Sequence, residues 1–155
     1  MKLVKNLGII VAVLGVVAIA IGGVFIAEGM MKNNLIVDRM NVEKVSLALD
    51  PNNPGDYTPI NNSSDAQKAA DTIAEHRRAI APTYQELLAG GRFDSTNSLH
   101  LTYAQAMNLE NYLYMAVTAF GLIQVTMASG AVMVIVGLAI GGVGFALYRI
   151  GREKA

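Results

Sequence analysis

The chain has 155 residues, 53% of them hydrophobic and 15% charged, with twelve basic and twelve acidic side chains. Zero net charge removes the attraction on which a general polyanion binder depends, so nucleic acid is not an expected partner. Cysteine is absent, which excludes thiol nucleophiles, zinc–thiolate centres and disulfides.

Residues 1–6 form a short basic segment with Lys2 and Lys5, and the run from Leu7 to Ala27 is 21 residues without a charge. About 20 helical residues cross a hydrocarbon core of ~30 Å, so 7–29 reads as the first transmembrane helix. Ala18, Ile19 and Ala20 resemble a small-x-small signal cleavage site. The apolar run continues to Ala27, however, which favours an uncleaved anchor.

Residues 30–101 have the length of one small domain. Within it, Leu35 to Leu49 mixes branched apolar residues with charges and predicts one bent strand or two short ones. Asp50 to Ser64 holds Pro51, Pro54, Pro59 and Gly55, the composition of a loop. Asn61 and Asn62 each head an N-x-S sequence, which matters only in a glycosylating host and otherwise reads as polar loop. A helix is predicted next, capped by Ser64 or Asp65, with Ala66, Ala69, Ala70, Ile73, Ala74, Arg77 and Ile80 on one stripe and Pro82 at its end. Thr83 to Ala89 predicts a short helix, capped by Thr83 with Glu86 three residues on and stopped by Gly90 and Gly91.

A long final helix is predicted from a cap at Thr102 with Gln105 completing a capping box. The uncharged stretch that begins at Asn111 is longer than one crossing needs, and its polar residues lie in its first half. The helix therefore divides into an extramembrane part, 102–122, and a second transmembrane helix, 123–148, followed by a basic segment, 149–155. The implied fold class is a membrane protein, mainly α: a two-helix transmembrane hairpin with a small extracytoplasmic α+β cap domain.

Each span carries four glycines spaced by seven: Gly8, Gly15, Gly22 and Gly29, then Gly130, Gly137, Gly144 and Gly151, with Gly141 adding a GxxxG pair to Gly137. Heptad spacing keeps one seam facing a partner, and glycine lets two backbones approach closely in lipid. An antiparallel pairing of Gly8 with Gly151 and Gly29 with Gly130 would align the ladders end to end. The same residues serve packing within the hairpin or between protomers. Between the spans lie seven basic and eleven acidic side chains, while the flanks are basic. By the positive-inside bias both termini are cytoplasmic and the middle domain is extracytoplasmic, in a multi-pass cell-membrane protein.

The chain resembles short bacterial two-span membrane proteins of unknown function, some of which carry an automatic label as aromatic ring-opening dioxygenases. The likeness lies in the Gly-rich first span, Asp65-Ala66-Gln67 before an Ala-rich helix with Glu75-His76, Thr83-Tyr84-Gln85-Glu86, and Ala119-Phe120-Gly121 entering the second span. It implies the membrane hairpin and brings no catalytic residues with it. The dioxygenase label conflicts with the chemistry, because such an enzyme holds a metal with His and carboxylate ligands. Only His76 and His100 are available, separated by 23 residues with no local ligand spacing. Ser95 and Ser98 near His100 lack any motif that activates a serine. Arg77, Arg78 and Arg92 have Glu75, Glu86 and Asp94 close in sequence and read as a solvated mixed face.

A rotor-ring role needs a mid-membrane carboxylate, and neither span has one, since Glu28 lies at the edge of the first and Glu110 outside the second. The expected function is therefore a non-enzymatic integral membrane scaffold or accessory subunit without cofactor or metal. Its partners are the lipid bilayer and either copies of itself or a membrane complex. A small oligomeric channel or transporter-like protein is the alternative. Tyr103, Met107, Tyr112, Tyr114 and Met115 on the extramembrane part of the long helix are the candidate partner contacts, with core packing beneath the cap domain as the other reading of the same residues.

Overall fold

The computed structural model describes residues 2–44 and 58–153. Among these residues there are four helices: α1 (Lys2–Val42), α2 (Ser63–Ile80), α3 (Tyr84–Leu88) and α4 (Ser98–Glu153). The chain divides into two compact units, one of Met1–Asn33 with Leu122–Ala155 and the other of Asn34–Gly121. Helices α1 and α4 contribute to both.

The first unit is a pair of apolar helices, each long and apolar enough to cross a membrane. Gly8, Gly15, Gly22 and Gly29 are the buried residues of α1, and Gly130, Gly137, Gly144 and Gly151 are buried on α4. Most of the large side chains remain outside this seam, Leu14, Val17, Ile21, Ile135, Leu138 and Phe145 among them. A soluble protein hides such residues, so the pattern fits an apolar solvent.

The second unit packs around α2, whose Ala66, Ala69, Ala70 and Ile73 lie against Leu113, Ala116 and Phe120 of α4, with Ile60 fully buried among them. Ile36, Val37 and Met40 of α1 close the same core. Alanine at the α2 contacts lets the helices approach closely. A smaller cluster joins Ala81 and Leu87 to Tyr103, with Ile80 and Met107 against it.

The α+β expectation is corrected here, because no strand occurs among the described residues. Residues 35–42, expected as strand, continue α1, and Glu43 and Lys44 form a turn in which Lys44 takes φ +50°. No glycine or proline interrupts 30–44, and Ile36, Val37 and Met40 share a helical face that reaches the core; burial there outweighs the strand preference of branched residues. Residues 45–49 of that expected strand and 50–57 of the expected loop lie outside the described residues.

The helix ends differ in detail from expectation. Asn62, not Ser64 or Asp65, caps α2, accepting from the Asp65 amide at 3.0 Å, while the Asp65 carboxylate accepts from the Asn62 side chain at 2.8 Å. Ala81, extended before Pro82, ends it. Thr83 caps α3 and its hydroxyl meets the Glu86 carboxylate at 2.9 Å; Ala89 (φ +46°) and Gly90 (φ +80°) turn the chain out through left-handed backbone. Helix α4 begins four residues before the expected cap. Asn97 accepts from the Leu99 amide at 2.9 Å, and Thr102 is already internal, its hydroxyl donating to Ser98 O at 2.9 Å.

Candidate functional site

In the first unit the glycines work at backbone distance. A methyl placed on Gly22 would lie 2.5 Å from Gly130 O, and one on Gly130 would lie 2.6 Å from Gly22 O. A methyl on Gly137 would lie 2.8 Å from Gly15 O, and one on Gly144 the same distance from Gly8 O. Real Cβ atoms do not approach so closely, so only glycine hydrogens fit, directed at carbonyls in the manner of weak Cα–H···O contacts.

The register is one heptad away from the end-to-end alignment. Gly8 pairs with Gly144, Gly15 with Gly137 and Gly22 with Gly130, which leaves Gly29 against Met127 and Gly151 against the backbone of Lys5. The end-to-end register would pair four glycines and the observed one pairs three, so the packing of the two helices and not the number of glycine pairs sets the register. Gly141 is less buried than its neighbours in the ladder, yet it supplies the backbone nitrogen, 2.5 Å from a methyl on Gly15, that closes the seam there. Gly23 and Gly142 face outward, with nothing within 4 Å of the position a Cβ would take.

In the second unit, α2 and α4 are joined by a buried ion pair between Glu110 and Arg77, the latter expected on a solvated mixed face. Arg77 Nε donates to Glu110 Oε2 at 2.7 Å and Nη2 to Oε1 at 3.4 Å, while Nη1 donates to the Tyr103 hydroxyl. The two charged side chains are 12% and 11% exposed. The hydrogen bond to Glu110 raises the Arg77 pKa above its ordinary value, against the burial that lowers it. Arg77 lies 5.0 Å from the centroid of the Tyr103 ring, which also meets Tyr84 at 6.2 Å. The one sequence signal for this burial is that Arg77 continues the apolar stripe of α2.

Tyr103 is only 1% exposed, so of its two expected roles the partner contact is corrected and core packing stands. Met107 is half-buried beside it. Tyr112 and Met115 are 60% and 66% exposed. Tyr114 is partly exposed and donates to Asp71 Oδ1 at 2.8 Å, a bond that raises its phenol pKa. Tyr112 also edges a shallow cleft of ≈ 210 Å³ with Arg39, Met40, Glu43, Leu109 and Leu113.

The histidines are not brought together with a ligand set. His76 is exposed, and His100 Nδ1 accepts from the Asp94 amide at 3.1 Å with the Phe93 ring 5.8 Å away. The Thr96 hydroxyl and amide hold the Asp94 carboxyl below its usual range. Among the described residues no group of three His, Cys, Asp or Glu is placed to hold a metal ion, and neither Ser95 nor Ser98 hydrogen-bonds His100.

No family model, curated protein or solved structure matches this chain. What the two units can do follows from their surfaces: a closed glycine seam with aliphatic side chains around it, and a packed helical unit that leaves Tyr112, Met115 and the Arg39–Glu43 cleft open.

Proposed function

We propose that the protein is a non-enzymatic integral membrane scaffold or accessory subunit. The observation that carries this reading is the glycine seam. It zips α1 to α4 at backbone distance and leaves the aliphatic side chains of both helices uncovered. Such a pair is a self-sufficient anchor in lipid, because close backbone packing rather than burial from water holds helices together there.

Basic residues at the chain's two ends put both termini in the cytoplasm and the second unit outside the cell. Assembly with copies of itself or with a membrane complex then uses surfaces that the hairpin has left unused. In the second unit these are Tyr112 and Met115, residue types enriched at interfaces. The aliphatic outer faces of α1 and α4 favour lipid over the lining of a water-filled path, which weighs against the channel alternative.

The test is the native mass of the full chain in mild detergent, with its co-purifying proteins, for wild type and a Tyr112→Ala, Met115→Ala variant. A discrete multimer or stoichiometric companion that the variant loses is the expected result. A companionless monomer in extracts that keep other membrane complexes intact would refute the assembly role.

A further inference from the structure

We propose that the end of the hairpin carrying Lys5, Tyr148 and Arg152 is a binding site for the headgroup of an anionic phospholipid. The inference rests on the membrane reading above and adds a ligand to it.

Three observations place the site. Gly151 lets α4 press on the start of α1, a methyl there falling 2.6 Å from Lys5 N and 2.9 Å from its Cα. The Lys5 stem is consequently half-buried and its ammonium stands 5.9 Å from the centroid of the Tyr148 ring. Arg152 is four residues beyond Tyr148 and so lies on the same stripe of α4, next to the contact.

Charge at this end is unbalanced. Glu153 is the only acid near it among the described residues, and it is taken by Arg149 at 3.1 Å. Lys2, Lys5 and Arg152 have no acidic partner among the described residues. At the other end of the seam the first charges are Glu28 and Lys32, one of each sign. Helix dipoles do not supply the attraction, because the N-terminus of α1 and the C-terminus of α4 meet here and oppose each other. The side chains must carry it.

A phosphodiester would take charge-assisted hydrogen bonds from the Lys5 ammonium and the Arg152 guanidinium, with the Tyr148 ring at headgroup level and the acyl chains along the aliphatic faces. A zwitterionic headgroup would set its own cation beside the Lys5 ammonium and the Arg152 guanidinium, so the site selects net negative charge. Lys5 is the discriminating residue, since its position is set by packing while Lys2 is exposed and Arg149 is held by Glu153.

The experiment is native mass spectrometry of the full chain released from micelles doped with phosphatidylglycerol or phosphatidylcholine of matched acyl chains. Wild type should retain phosphatidylglycerol preferentially, and Lys5→Gln and Arg152→Gln should each weaken retention about fivefold, the effect of one cation at a membrane surface. Lys5→Arg should keep it, and Lys32→Gln at the opposite end should leave it unchanged. Equal retention of both lipids, or an equal loss from Lys32→Gln, overturns the site. Displacement of the lipid by inorganic phosphate at matched concentration would also overturn it, by assigning the cations to a free anion. Extraction of cell membranes with alkaline carbonate separates the two readings. A chain released by carbonate is not an integral membrane protein and both fail; a chain that stays embedded but shows no lipid preference loses only the headgroup site.

Discussion

Gly15 meets Gly141 with no room for a side chain between them: a methyl on residue 15 would lie 2.5 Å from the Gly141 nitrogen and 2.6 Å from its Cα. Both obstacles are backbone and cannot rotate away. Gly15→Ala should therefore pry the helices apart and lower resistance to SDS-driven unfolding by ~1–3 kcal/mol. Gly23→Ala, where nothing lies within 4 Å, should be neutral or stabilising by up to ~1 kcal/mol, the helical preference of alanine over glycine. Equal effects from the two substitutions would show that the seam is not the contact that holds the pair.

Gly29 differs from the other glycines because its obstacle is the Met127 side chain. Methionine is unbranched and adapts. Gly29→Ala should thus cost less than Gly22→Ala, and Met127→Ala should recover part of that cost, with a coupling of roughly 0.5–3 kcal/mol in a double-mutant cycle. SDS titration of the four proteins measures it. Additive effects would place Met127 away from Gly29.

The Arg77–Glu110 pair predicts an asymmetric response. Glu110→Ala strands a buried guanidinium on the Tyr103 hydroxyl and should destabilise the second unit by ~3–5 kcal/mol, whereas the double change Arg77→Met, Glu110→Leu should recover most of it. Hydrogen exchange along α2 is the measurement. Protection unchanged by Glu110→Ala would mean that the pair is not buried in solution.

Tyr114 predicts a pH dependence. Its hydroxyl donates to Asp71, so ionisation is opposed and its pKa lies above the ordinary phenol value of about 10. A group raised on folding contributes stability in full below its unfolded pKa and loses it as pH rises through the folded one. The stability difference between wild type and Tyr114→Phe should hold at neutral pH and shrink in the alkaline range above about pH 10. Ultraviolet titration should show a late component that Asp71→Asn brings forward; a titration curve unaltered by that substitution would remove the bond.

Tyr103 and Tyr112 lie on one helix with opposite fates. Tyr103→Ala empties a core site and should cost ~3–5 kcal/mol by analogy with other buried aromatic truncations. Tyr112→Ala should leave helicity and unfolding unchanged within ~0.5 kcal/mol, as exposed substitutions do. Circular dichroism during denaturation compares them directly, and equal losses would put Tyr112 in the core as well.

Both apolar spans, the two glycine ladders, the Ala-rich stripe of α2 and the Thr83 cap of α3 are legible in the sequence, since all of them depend on near neighbours or on local period. Legibility ends where a residue's partner is distant. The branched residues at 35–42 are compatible with strand or helix, and contact with Ala-rich α2 decides for helix. Arg77 and Glu110 are 33 positions apart, so nothing local distinguishes a buried ion pair from two solvated charges. An aromatic near a helix start carries no sign of which way it faces, and Tyr103 therefore reads either as a partner contact or as core until its packing is known.

By itself the sequence determined that two helices are apolar enough for lipid and that each carries a small-residue seam, because hydropathy and a seven-residue period are properties of one segment at a time. Tertiary structure alone decided that Gly8 meets Gly144 and not Gly151, that Gly151 is spent on Lys5, and that Arg77 is inside. Each of these is a choice that one segment's own sequence leaves open, and only the packing of one helix against another makes it.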